Sequence, residues 1–487
     1  MKVALVCDWL TNIGGAERVL KSLSDLFPSA PIYTSQYNPK KIDWFKDKNV
    51  QVGWLQIFPS SFRRLLGPLR QWYFSHLNLS EYDLIISVTG AEAKGIKKGN
   101  ARHVCYCHVP TQYYWGMKDD YLKNPGFGLL NPLARLGLKL LLPPLKSADF
   151  RAAQKPDEFI TISTYSAGAI KKSYNRDATI IFPPVAVEKF STSDFSTTKR
   201  EIKTAKRQPN TPEKPERRGY ITTSRQVNWK RLDLAIEACL ALKVPLTVIG
   251  EGPEHKKLKQ LAKKSHLIKF VPLVSQDELV SYLTSAKGYI FPSLEPFGIA
   301  PVEALAAGCP VIAYGNGGAL DYVIDGENGV LFGKQSVNSL RQALKRFESL
   351  SFDETTVKAS ALPFSETRFR EKILAHLSGK PQKTPSAPAP KPKPIVKKPV
   401  SKPVVKSAPV AKPTSTPAPK PTQKPVAKST PVTKPAPRSI DIAPPRQKRN
   451  INQKKVKPKG TINHEKVKPK GTTTQKPSQP GTQIKIN

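Results

Sequence analysis

The chain has 487 residues and a formal net charge of +41, which is too long for one ordinary domain and far from a charge-balanced surface. No apolar run reaches the roughly 18 residues that span a bilayer, so a membrane-spanning helix is not expected. Five scattered cysteines, odd in number, exclude a disulfide framework and read as buried thiols in a reducing compartment.

Val3–Cys7 reads as a short buried strand, too brief an apolar run before Asp8 to serve as a secretory signal. The expected location is therefore the cytoplasm, either free or lying on the inner face of the plasma membrane. Gly14-Gly15 follows and opens a helical pattern reaching about Leu26. Leu84–Val88, His103–Cys107 and Phe159–Ile162 are further strand signals. A second series begins near Gly219, with strands at Tyr220–Thr223, Leu246–Ile249, Ile268–Val271, Gly288–Phe291, Val311–Ala313 and Gly329–Phe332. Helical patterns separate them, at Arg231–Leu242, after Pro253, at Asp277–Thr284 and from Ala300. Continuous apolar strands alternating with helices predict an α/β protein with parallel sheets covered on both faces.

The expected organisation is an N-terminal Rossmann-like domain over 1–190, a basic linker over 191–218 and a second Rossmann-like domain over 219–362. A terminal helix over 363–379 would cross back to the first domain. Residues 380–487 hold 26 Lys/Arg against two acids, Asp441 and Glu465, with 23 prolines and no aromatic residue. Such a tail cannot bury enough apolar surface to offset its ordering entropy, so a disordered segment of polyproline II character is expected. Without it, the remaining 379 residues still carry +17. Two parallel α/β domains leave a cleft at the carboxyl ends of their strands, where ligands bind in such folds.

The segment Phe291-Pro-Ser-Leu-Glu-Pro-Phe-Gly-Ile-Ala-Pro-Val-Glu303 places two carboxylates, Glu295 and Glu303, on either side of a strand-to-helix turn at Gly298. The helix N-terminus offers unpaired backbone N–H groups to phosphate. The acids would accept hydrogen bonds from sugar hydroxyls. Arg225 and Lys230, just past the first strand of the second domain, supply a planar fork of donors and a point charge suited to a diphosphate. Either cation would serve as well on a solvated loop, and Gly14-Gly15 would serve as well in a simple tight turn. Cys105, Cys107 and His108 lack the spacing of a metal clamp and a second ligand pair.

Arg225 with Lys230, Gly250-Glu-Gly-Pro253, the two glutamates and Ala304-Leu-Ala-Ala-Gly-Cys-Pro-Val-Ile-Ala-Tyr-Gly-Asn-Gly-Gly318 resemble glycosyltransferase family 4, retaining enzymes of the GT-B fold. Tyr106-Cys-His-Val-Pro-Thr-Gln-Tyr-Tyr114 is similar to a block of bacterial mannosyltransferases that use GDP-mannose. The resemblance covers about residues 1–375 and is strongest over 219–333. It implies transfer of a hexose, with mannose from GDP-mannose favoured, to a glycan or lipid-linked acceptor in cell-surface polysaccharide synthesis. A UDP-sugar donor and a non-catalytic binding protein of the same fold are the alternatives.

By position, the resemblance gives Glu295 the donor sugar and its developing oxocarbenium charge, and Glu303 the ribose hydroxyls. Phe297, Gly298 and Ile299 would present backbone N–H groups to sugar and phosphate, and Arg225 and Lys230 would take the diphosphate. Gly14 and Gly15 would face the reaction centre from the other domain, with His108 near donor sugar and acceptor. No Asp-x-Asp motif occurs in residues 1–379, which fits the family's metal-independent habit, so no cofactor is expected.

Two further stretches, Phe58–Phe74 and Phe127–Pro143, combine apolar residues with positive charge only. Each reads either as an interfacial helix on an anionic membrane or as a helix packed on the first domain with snorkelling cations. The tail suits anionic lipid, an anionic polymer or nucleic acid. Nucleic-acid binding would be non-specific, since no aromatic residue is there to stack on bases.

Overall fold

The computed structural model describes residues 1–60, 62, 66–116, 122, 131–191 and 217–379. The tail and nearly all of the basic linker therefore lie outside the described residues. Two sheets organise the chain, and every strand pairing in both is parallel.

The first sheet contains β1 (Val3–Cys7), β2 (Ile32–Thr34), β3 (Val50–Val52), β4 (Leu84–Thr89), β5 (Arg102–Cys107), β6 (Glu158–Thr161) and β7 (Thr179–Ile180), in the order β3-β2-β1-β4-β5-β6-β7. The second contains β8 (Tyr220–Thr223), β9 (Leu246–Ile249), β10 (Ile268–Val271), β11 (Gly288–Phe291), β12 (Val311–Tyr314) and β13 (Gly329–Phe332), in the order β10-β9-β8-β11-β12-β13. In each sheet the order reverses beside the first strand, between β1 and β4 and between β8 and β11. Loops leaving the carboxyl ends of those pairs diverge to opposite sides and open a crevice.

Burial explains the strands. All six residues of β4 and all four of β11 are buried, as expected for parallel strands covered by helices on both faces. One apolar core holds Leu5, Val19 and Ile86 of the first lobe together with Val302 and Val311 of the second, and it continues through Phe364, Phe369 and Ile373. Separate cores fill the outer faces, around Phe74 and Ile85 in one lobe and Ile236 and Leu344 in the other.

The helix Glu366–Leu377 comes after the second sheet and packs against the first lobe. Arg102 of β5 donates from Nη1 to the Leu377 carbonyl at 2.6 Å, and Arg370 Nε donates to Ser22 Oγ at 3.2 Å. The Phe369 ring meets Tyr106 edge-on at 5.9 Å.

Several elements differ from the sequence reading. The short strands β2, β3 and β7 had no apolar run long enough to mark them. The helix expected to start at Arg231 starts at Leu232, because Arg231 takes a left-handed conformation with φ 52°. The Phe58–Phe74 stretch is not one helix; its helical part is Gly67–His76, preceded by a 3-10 turn at Trp54–Ile57. The second cationic stretch belongs to a longer helix, Asn131–Ala152, which runs through Pro143 and Pro144.

Candidate active site

Four loops converge at the crevice. The turn after β1 enters the helix Gly15–Leu26, with Gly14 as its N-cap in an ordinary extended conformation. The loop after β5 carries His108. The loop after β8 carries Arg225 and Lys230, and the loop after β11 carries Glu295 to Gly298 before the helix Ile299–Ala306.

Together they line a cavity of about 500 Å³. The residues to which the resemblance gives a role border it: Gly14, Gly15 and His108 from one lobe, and Arg225, Lys230, Glu295, Phe297, Gly298, Ile299 and Glu303 from the other. The lobes approach closely here, since a methyl group added at Gly15 would lie 3.3 Å from Ile299 Cδ1.

The turn at Gly298 depends on its lack of a side chain. Its φ is +95°, and a Cβ there would lie 2.7 Å from the Phe291 ring and 2.8 Å from the Tyr322 hydroxyl. Gly318 supports the same loop from behind: its N–H donates to the Glu295 carbonyl at 2.8 Å, and a Cβ would sit 2.3 Å from Phe297 Cα. The Phe297 ring is buried among Phe182, Tyr322 and Phe364, while Tyr322 donates from its hydroxyl to the Phe297 carbonyl at 2.9 Å. The side chain of Phe297 thus anchors the loop and leaves its backbone at the cavity. Pro301 falls in the first helical turn, where a missing N–H breaks no intrahelical bond.

The charged groups are mutually paired. Glu295 Oε1 accepts from Lys230 Nζ at 2.5 Å and from Ser293 Oγ at 2.8 Å. Glu303, largely buried, accepts at Oε1 from Arg18 Nη1 of the opposite lobe at 2.8 Å. Arg225 borders the cavity beside Lys230. His108 has its ring Nε2 buried without a hydrogen-bond partner among the described residues, and burial pushes its pKa down to about 4. The imidazole is therefore neutral near pH 7 and able to donate or accept one hydrogen bond.

A second cavity, of about 400 Å³, adjoins the first and shares His108. Its walls come almost wholly from the first lobe and include Asp8, Trp9, Glu17, Gln112 and Tyr113, with Pro296 from the other. Asp8 is fixed in place. Its carboxylate accepts from Thr89 Oγ1, from the Gly90 N–H at 3.0 Å and from the Ala93 N–H at 2.8 Å, which pins the loop after β4. The sequence reading passed over Asp8, Trp9, Glu17 and Arg18. The one local signal was their position directly after β1 and in the first turn of the helix that follows.

Two Rossmann-like lobes, with a cavity that gathers cations and carboxylates at the switch points of both sheets, make up a GT-B fold. Residues 203–360 match the family of glycosyl transferases group 1. The chain is 25% identical over 377 residues to the alpha-1,3/1,6-mannosyltransferase ALG2 of Dictyostelium discoideum, covering 66% of this chain and 83% of that protein. The mouse ALG2 is 24% identical over 75% of this chain and 91% of its own length. Among solved structures, Anabaena HepE in complex with UDP superposes with a TM-score of 0.55 at 19% identity, over 78% of this chain and all of HepE. The lipopolysaccharide galactosyltransferase WaaB gives 0.54 at 16% identity, over 78% of this chain and 99% of WaaB. Residues 203–360 are thus a region of the glycosyl transferases group 1 type, and the two-lobed chain has the GT-B fold.

Proposed function

We propose that the larger cavity holds a nucleotide-sugar, with GDP-mannose as donor, and that a hexose passes from it to a hydroxyl seated in the smaller cavity. The observation that carries this reading is the gathering of Arg225, Lys230, Glu295 and Glu303 on one wall, with Gly15 and His108 opposite. The named activity of the ALG2 relatives, together with the block Tyr106–Tyr114, favours mannose as the sugar.

In this reading Arg225 and Lys230 meet the diphosphate, and their charge stabilises it as the leaving group. Glu303 accepts from ribose hydroxyls, and Glu295 accepts from the hexose and faces the positive charge developing at its anomeric carbon. The bond from that carbon to the diphosphate oxygen breaks as the bond to the acceptor oxygen forms on the same face. The acceptor proton passes to the departing phosphate oxygen, so configuration is retained and no protein nucleophile takes part. His108, neutral and between the two cavities, donates a hydrogen bond to donor sugar or acceptor. The cations do the work a divalent metal would otherwise do. The acceptor is a glycan or a lipid-linked saccharide for the cell surface, reached from the inner face of an anionic membrane.

UDP-glucose and related donors are the second reading, because HepE was solved with UDP and with UDP-glucose. A thermal-shift panel decides between them. The donor that binds raises the melting temperature by mass action, so GDP-mannose should shift it more than UDP-glucose or UDP-N-acetylglucosamine at equal concentration. A larger shift with a UDP-sugar would reject the mannosyl assignment, and no shift with any donor would reject the site.

A further inference from the structure

Among the described residues, nothing covers a long apolar side of the helix Asn131–Ala152. Leu133, Leu136 and Leu140 stand three and four positions apart, hence on one side, and are 69%, 56% and 68% exposed. The opposite side faces inward, with Asp149 buried and Leu142 and Leu145 half-buried. Arg135, Lys139 and Lys146 run along one flank between the two. Between Tyr121 and Ala148 the sequence contains no acid.

The helix Gly67–His76 touches this one and adds exposed apolar residues, while its Arg70 is buried against Glu92. Trp72 is 54% exposed, Leu69 is exposed beside it, and Ile57 just upstream is 76% exposed. No acid occurs between Lys48 and Ser80. Two neighbouring helices thus present leucine and tryptophan to solvent, and the exposed cations Arg135 and Lys139 flank the first of them. Apolar patches of this kind mark interaction surfaces.

Both helices are tied to the smaller cavity. Arg70 lies 4.8 Å over the Trp9 ring and donates from Nε to Glu92 at 2.9 Å, and Glu92 accepts the Tyr113 hydroxyl. Asp149 accepts from Trp115 Nε1 at 2.8 Å, and Lys146 Nζ sits 4.2 Å over the same indole. Trp9 and Tyr113 are walls of that cavity.

We infer that the leucine side of Asn131–Ala152, with Trp72 and Leu69 beside it, is a membrane-docking face, and that its occupant is the headgroup and upper acyl layer of an anionic bilayer. Charge complementarity selects this occupant: apolar side chains would enter the acyl boundary while the flanking cations meet lipid phosphates. A second copy of the chain would bring the same cations against one another. The consequence, that a lipid-linked hydroxyl is presented directly to the smaller cavity, rests on the acceptor reading above. Docking itself does not, and it is read without any sugar present.

The experiment uses the full chain with vesicles of phosphatidylglycerol and brominated phosphatidylcholine. The 26 cations of residues 380–487 will also attract such vesicles, so binding is read in 1 M NaCl, where charges are screened beyond ~3 Å. The parent chain should remain bound with its tryptophan fluorescence quenched by bromine. The variant Leu133→Ser/Leu136→Ser/Leu140→Ser should lose about tenfold in this salt-resistant binding while keeping the parent's low-salt binding and circular dichroism. Complete release of the parent at high salt without quenching, or a variant that binds and quenches like the parent, would overturn the inference. Self-association of the parent, lost in the variant and unaccompanied by quenching, would overturn it in favour of a second copy.

Discussion

Arg18 and Glu303, 285 positions apart in sequence, form an ion pair at 2.8 Å that joins the first helix of one lobe to the helix bordering the larger cavity in the other. Glu303 keeps Oε2 without a hydrogen bond to any described residue, so one oxygen is held by the cation and the other remains for a hydroxyl. Replacing Glu303 by Ala should weaken GDP binding by about 10- to 100-fold, the equivalent of ~1.5–3 kcal/mol for hydrogen bonds to a charged group. Arg18→Ala, which removes the partner that orients Glu303 and that itself borders the cavity, should cost less, about 3- to 10-fold. Calorimetric titration of both variants and the double variant gives the coupling. Strictly additive losses would show that Arg18 does not act through Glu303.

The Lys230–Glu295 pair leads to a different expectation, because both partners are proposed to act in the reaction. Glu295→Ala should lower kcat by about 10²- to 10³-fold, as loss of a group aimed at developing charge does, with a smaller change in KM. Both side chains are about one-fifth exposed, so the cation left behind is partly solvated and the melting temperature should fall by only a few degrees. Turnover equal to the parent's would remove Glu295 from the chemistry.

Gly298 tests the turn that presents the backbone. Gly298→Ala would place a methyl group on a residue at φ +95° and within 3 Å of both the Phe291 ring and the Tyr322 hydroxyl. Destabilisation of about 1–3 kcal/mol is expected, together with weaker donor binding, because the start of the helix Ile299–Ala306 must shift. Urea denaturation alongside GDP titration checks both. Unchanged stability would mean that the turn relaxes without cost.

Much of the second lobe could be read from the chain itself. Its strands are four-residue apolar runs, each followed by a helical pattern, and its binding groups sit in the loops that directly follow β8 and β11. The first lobe was less readable for a physical reason: β2, β3 and β7 have only two or three residues and owe their conformation to neighbouring strands. Arg18 was missed because its role comes from a contact across 285 positions, and Asp8 because the three donors to its side chain, Thr89, Gly90 and Ala93, lie more than 80 residues away. The exposed leucines of Asn131–Ala152 had two readings in sequence, packed or interfacial; their exposure shows that they are not covered by the rest of the described fold.

Acid should destabilise this fold through its buried imidazoles. His103 is fully buried, donates or accepts at Nε2 with Ser87 Oγ at 2.8 Å, and has its pKa pushed down to about 3 by burial. His108 is pushed down to about 4 for the same reason. In the unfolded chain both titrate near 6.5. Below about pH 6.5 the unfolded state binds more protons than the native one, so stability is full above that value and is lost as pH falls toward 4 and then 3. At pH 5 the loss from His103 alone would be about 2 kcal/mol. Urea midpoints at pH 7 and pH 5 should therefore differ, and His103→Gln should reduce the difference. An identical acid shift in that variant would assign the effect to other groups.

The metal-free reading is tested by chelation. With Arg225 and Lys230 placed to meet the diphosphate, transfer should continue at the parent rate in excess EDTA, and added Mg²⁺ or Mn²⁺ should change it less than twofold. Salt should act more strongly than chelator, because partly exposed cations lose attraction for a diphosphate as ionic strength rises, so KM for the donor should increase between 50 and 500 mM NaCl. Lys230→Ala should weaken donor binding at low salt and flatten its dependence on NaCl, without creating a metal requirement. Inhibition by EDTA that Mg²⁺ reverses would show that the two side chains do not carry the diphosphate charge alone.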